Sequence, residues 1–110
     1  MLKSMMKDSL MRSGGLLVLL FLLSTTVSWA EEDGRAVYHE YCYICHGTGM
    51  SDVPQFGDVK HWEARAEKGM DALYNAALYG LNAMPPMGLC DECGEAQIKS
   101  AVDYMVGNSH

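Results

Sequence analysis

Residues Cys42-Tyr43-Ile44-Cys45-His46 are the stretch whose types and spacing prescribe a particular chemistry. Two cysteines three positions apart lie on one side of a helical turn, so both sulfurs can meet one planar ligand. In this C-x-x-C-H spacing the two thiols add to the vinyl groups of a haem, and the following histidine ligates the iron from below. The histidine separates the pattern from a plain redox C-x-x-C pair. The sulfurs taken alone are also compatible with zinc.

A haem iron held by His46 leaves its other side to a soft or nitrogenous ligand, or open. Met84-Pro85-Pro86-Met87 offers two thioethers, and a methionine sulfur suits haem iron and raises its potential. The prolines favour an extended polyproline geometry in which three residues advance roughly 9 Å. Both sulfurs therefore do not reach one iron. Spacing does not choose between Met84 and Met87, and methionine is also a common core filler.

The elements that must position these groups are helical. A first helix, capped by Asp33 or Gly34, is predicted to run to about Cys45 with Val37, Tyr38 and Tyr41 on one face. It carries both cysteines at its end and presents His46 just beyond. Gly47 and Gly49 then permit a turn close to a flat ligand. Met50 to Gly57 reads as loop, and the carbonyl of Pro54, free of helical pairing, is the expected partner for the second ring nitrogen of His46.

Asp58 can cap a short helix through His61, Trp62, Arg65 and Ala66 that ends near Gly69. Another helix runs from about Met70 to Tyr79, with Gly80 as its stop. Asn82 to Cys93 is again loop. A last helix from about Gly94 to Val106 carries Ile98, Val102, Met105 and Val106 as an apolar stripe. No strand alternation, repeat or low-complexity segment appears, so this part reads as one all-α domain. Trp62 and Arg65, one helical turn apart, either stack on and bond to a haem propionate or serve as a core residue and a solvated charge. His39 and His61 read as surface histidines. Tyr41 and Tyr104 read as packing residues where the first and last helices meet.

The chain of 110 residues begins with a different kind of segment. Lys3, Lys7 and Arg12 make a basic start, Leu16 to Val27 is an apolar run of 12 residues, and Ser28-Trp29-Ala30 supplies small residues at its first and third positions. This is the layout of a secretory signal peptide, with cleavage expected after Ala30. The apolar run is short of the roughly 20 residues a membrane-spanning helix needs. The expected division is therefore a signal peptide over 1–30 and a folded domain over 31–110, with no stable membrane insertion after cleavage and a periplasmic location.

A domain of 80 residues buries little core and usually relies on a staple or cofactor. From Glu31 onward five Lys and Arg face thirteen Asp and Glu, a net charge of −8. Nucleic acid and anionic membrane surfaces are poor partners for such a chain, and a basic protein surface suits it better. All four cysteines lie in the exported part. Cys90 and Cys93 lack a following histidine, and in an oxidising compartment they most simply form a local disulfide. The loop it closes is so short that its use is to fix a turn.

From Gly34 to Val106 the chain resembles the cytochrome c5 family of small class I c-type cytochromes. The resemblance rests on CYICHGTG, Pro54-Gln55-Phe56-Gly57-Asp58, Trp62 with Arg65, Gly69-Met70-Asp71-Ala72-Leu73, Gly80-Leu81-Asn82-Ala83-Met84-Pro85-Pro86, the loop cysteines and Val102-Asp103-Tyr104-Met105. It implies a cytochrome c fold of four to five short helices around one haem c attached through Cys42 and Cys45. It also implies His46 and Met84 as axial ligands and a disulfide between Cys90 and Cys93. Where the family commonly has a basic residue, this chain has Met87, a second sulfur near the site.

These readings converge on a one-electron carrier in a periplasmic electron-transfer chain, cycling Fe(III) and Fe(II) between a protein donor and a protein acceptor such as a membrane-bound oxidase or reductase. A six-coordinate His/Met haem leaves no open site for substrate, and no Ser/His/Asp set, paired buried carboxylates or phosphate loop suggests an enzyme. One alternative is a haem-based gas binder or sensor from which Met84 is displaced. Another is a zinc or thiol–disulfide module, although 44 residues lie between Cys45 and Cys90, longer than zinc ribbons use.

Overall fold

The computed structural model describes residues 29–109. The expected signal peptide, apart from Trp29 and Ala30, lies outside the described residues, as does His110. Helix α1 (Trp29–Val37) passes into a turn of π-helix (Tyr38–Cys42) and then into α2 (Tyr43–His46), which delivers His46 as its last residue. Next come α3 (Val59–Ala66), α4 (Met70–Tyr79), a short 3₁₀-type turn (Pro86–Leu89) and α5 (Glu95–Gly107). Among the described residues the sole β feature is an isolated bridge between Leu81 and Met84, so the all-α expectation holds.

The first helix differs from expectation at its start. Asp33 and Gly34 lie inside α1 and do not cap it. Trp-Ala-Glu-Glu ahead of them contains no helix breaker, so nothing local stops the helix from extending upstream. Gly34 has a packing reason to be glycine: a Cβ there would lie 2.2 Å from the Ser100 carbonyl oxygen on α5. The first and last helices thus cross backbone to backbone.

The later boundaries follow local signals. Asp58 stands in extended conformation before α3, and its side chain accepts from Lys60 N at 3.1 Å and His61 N at 3.2 Å. Helix α4 ends at Gly80, whose φ of 85° suits a residue without a Cβ. Space matters there too, because a Cβ on Gly80 would meet Met84 O at 2.9 Å. Leu81 and Met84 then exchange two backbone bonds, 3.1 and 2.9 Å long, making a tight turn around Asn82 and Ala83. At the start of α5, Gln97 Oε1 accepts from Gly94 N at 2.9 Å.

The core forms on both sides of the π-helical turn. One cluster joins Val37, Ala77, Leu78, Cys90, Ile98, Ala101 and Val102, with Met84 and Met87 packed at its border. The other joins Tyr38, Trp62 and Met105, with Phe56 and Tyr104 beside it. Half-buried Cys42 borders both clusters. Cys90 is fully buried and disulfide-bonded to Cys93, with Cα atoms 5.4 Å apart, as the sequence led us to expect.

Candidate haem site

The π-helical turn immediately precedes the second half of the C-x-x-C-H motif. Tyr43 N donates to Tyr38 O across an i→i+5 step, one residue more than an α-turn contains. Cys42 closes this turn, and Cys45 follows in α2 with its thiol also free. Burial, reinforced by the neighbouring Cys45, pushes the Cys42 thiol up to about 11, so this sulfur is a protonated thiol at neutral pH. Two free thiols three residues apart fit the two thioether positions of a haem c.

The setting of His46 is more specific. Its ring is buried, 6.0 Å from the Trp62 ring and stacked on it at 28°. Its Nδ1 lies 2.7 Å from the Pro54 carbonyl oxygen, the partner expected from sequence. A carbonyl can only accept, so Nδ1 carries the hydrogen and the Nε2 lone pair remains for a metal. Burial holds the imidazole below its ordinary pKa of 6.5, and the nearby Arg65 cation acts the same way against the opposing pull of the Pro54 bond. The ring is therefore neutral at neutral pH, the form that ligates iron.

Met84 and Met87 are both half-buried and both border the same apolar cluster as Cys42. Met84 lies in the tight turn after Gly80. Met87 begins three successive residues with left-handed backbone, at φ 60°, 58° and 65° for Met87, Gly88 and Leu89. The turn carrying Met87 packs against the π-helical segment, so the methionine loop and the first cysteine are neighbours. Tyr41 Oη donates to Glu92 Oε1 and ties the disulfide loop to that segment. The surroundings also fit a large apolar group. Ile44 and Tyr43 beside the cysteines, and Leu81 and Leu89 beside the methionines, keep large apolar side chains at the surface.

Other expected residues fall as follows. Trp62 is a core residue whose Nε1 donates to Gln55 O at 2.9 Å. Half-buried Arg65 donates to the His61 carbonyl at 2.6 Å within its own helix. His39 and His61 are exposed. Tyr104 packs on Tyr38 and Phe56, with ring centroids 5.5 and 5.4 Å away. The zinc reading finds no support in geometry: Cys90 and Cys93 are bonded to each other, and no group of three metal-capable His, Cys, Asp or Glu side chains occurs among the described residues.

Sequence reasoning passed over Gln55. Its side chain makes four hydrogen bonds in the loop that covers His46. A polar residue directly after the proline that holds His46 was the available signal.

Comparison with known proteins agrees with this geometry. Residues 30–105 match the family model described as cytochrome C oxidase, cbb3-type, subunit III. A cytochrome c5 from Azotobacter vinelandii is 43% identical over 76 residues, covering 67% of this chain and 92% of that protein. A cytochrome c5 from Ectopseudomonas mendocina is 37% identical over 70 residues, covering 62% and 80%. A solved structure described as an electron transfer complex of nitrite reductase with cytochrome c contains a chain 35% identical to this one. It matches with a TM-score of 0.66 and covers 71% of this chain and 95% of that one.

Helical architecture, the C-x-x-C-H turn and these likenesses define a monohaem c-type cytochrome, with covalently attached haem c and a part in electron transfer. Within that class the chain belongs to the cytochrome c5 family. Members of the class are electron carriers working with protein redox partners, and nothing in this site points to catalysis.

Proposed function

We propose that this protein is an exported one-electron carrier whose haem would be held by thioethers from Cys42 and Cys45, with His46 and Met84 as the iron's ligands. In this reading residues 1–30 are removed as a signal peptide and the domain over 31–110 works in the periplasm. No helix among the described residues is long and apolar enough to cross a membrane.

The bound iron supplies the redox change between Fe(III) and Fe(II). The chain's own groups fix His46 through Pro54, exclude water with the Trp62 side and the apolar cluster, and set the potential. The observation that carries the reading is convergence. The cysteine turn packs against the methionine loop, and Cys42 and Met84 border one cluster. Met84 is favoured over Met87 because it follows the Gly80 turn in the segment that resembles the family, before the proline pair. The test is the methionine-to-iron charge-transfer band of the oxidised protein. Met84→Ala loses it and Met87→Ala keeps it; the reverse result reassigns the ligand.

The partners proposed are proteins with exposed redox centres, by analogy with the solved relative described in complex with nitrite reductase. Thirteen acidic residues against five basic ones in the exported part favour a partner with a basic docking face.

A further inference from the structure

The Pro54–Phe56 segment grips the end of the attachment helix with three consecutive residues. Pro54 O accepts from His46 Nδ1 at 2.7 Å, and Phe56 N donates to His46 O at 2.6 Å. Between them, Gln55 Nε2 donates to Cys45 O at 3.0 Å, one residue before the histidine. The same amide nitrogen faces Val53 O at 3.1 Å and Met50 O at 3.3 Å. Gln55 Oε1 accepts from Gly49 N at 2.7 Å.

The amide is thus oriented by its surroundings, with nitrogen toward three carbonyls and oxygen toward an N–H. The backbone of Gln55 is held as well, because its carbonyl accepts from Trp62 Nε1 at 2.9 Å and its N–H donates to His61 Nδ1 at 3.2 Å. No residue of this loop other than Gln55 ties the cysteine backbone, the glycine turn and the Trp62 helix together at once.

From this we infer that Gln55 is a positioning residue: its amide locks the loop so that the Pro54 carbonyl stays on His46 Nδ1, and thereby tunes the haem potential. The inference rests on the proposed role of His46 as an iron ligand. A firm bond to Nδ1 makes the imidazole a stronger electron donor, which favours the ferric state. With Gln55 removed, Gly49 N and the Cys45, Met50 and Val53 carbonyls turn to water, the loop opens more often, and the donation weakens. Potential and proton protection then move together.

The test uses haem-loaded, ¹⁵N-histidine-labelled protein in its reduced, diamagnetic state. Nuclear magnetic resonance follows solvent exchange of the His46 Nδ1 proton, and a redox titration follows the potential. Gln55→Leu, of similar volume and without hydrogen bonds, is expected to speed exchange about tenfold, from the loss of more than one hydrogen bond, and to raise the midpoint potential. Gln55→Met carries the same expectation should the branched side chain fail to fold. Gln97→Ala, which removes an amide from the remote start of α5, is expected to leave both quantities at the wild-type value.

Unchanged exchange and potential in a haem-loaded Gln55 variant overturn the inference, as does an equal effect from Gln97→Ala. Because the His46 proton is observed directly, the result is readable whether Met84 or Met87 proves to be the second ligand. Absence of a His46 ring signal displaced by the haem ring current in the wild type would instead remove the ligand reading itself.

Discussion

A Cβ on Gly34 would stand 2.2 Å from the carbonyl oxygen of Ser100, a contact no real side chain tolerates. The first helix, which leads into the cysteine-bearing turn, is therefore set against the last helix by backbone packing. Gly34→Ala forces the helices apart and is expected to lower stability by about 2 kcal/mol, a fall in Tm of roughly 10 °C for a domain of this size. Thermal unfolding of the haem-loaded protein checks it. An unchanged or higher Tm, as expected from alanine's better helix propensity alone, would contradict this packing.

Tyr74 Oη donates to Asp103 Oδ1 at 2.5 Å, joining α4 to α5. The bond to Asp103, with burial and the charges of Asp103 and Asp71 adding to it, pushes the phenol from 10.0 up to about 12. The folded state prefers the neutral phenol, so this contribution is fully present below pH 10 and is lost as pH rises through about 12. Tyr74→Phe is expected to be less stable than wild type at neutral pH, with the gap closing above pH 10. Circular-dichroism melts at a series of pH values read this directly, and a gap that stays constant through the alkaline range would exclude the linkage.

Much of the helix pattern was legible because its signals are local. Asp58 caps where a short acid precedes a helix, and Gly69 and Gly80 bound α4 with positive φ on either side. The Pro54 partner of His46 was legible for a chemical reason, since a metal-ligating histidine needs an acceptor and proline frees a carbonyl. The features missed depend on tertiary contacts. Gly34 reads as a cap until Ser100 is seen against it. Nothing in Tyr38–Cys42 announces an extra residue in the turn. Met87 and Leu89 adopt left-handed backbone that neither residue type favours, because the chain must turn between the proline pair and Cys90, which is buried in the core. Gln55 escaped because a glutamine in a loop is ordinarily solvated, and its value lies in four partners that only the fold assembles.

The acidic balance of residues 31–110 predicts salt-sensitive docking. Electron transfer to a basic protein acceptor is expected to slow by about an order of magnitude as added salt shortens the screening length. Stopped-flow rates across a salt series check this, with an acidic acceptor as control. A rate independent of salt would show that charge does not guide the encounter.

The central claim is a haem c held by Cys42, Cys45 and His46 with methionine on the other side, and the absorption spectrum tests it most directly. Purified protein is recorded oxidised and then after dithionite reduction. The sharp α-band of a low-spin c-type haem is expected on reduction, and the weak methionine-to-iron charge-transfer band in the oxidised form. A haem spectrum without that weak band would contradict methionine ligation and favour an open, ligand-binding iron. Protein with no haem absorption at all would contradict the account as a whole.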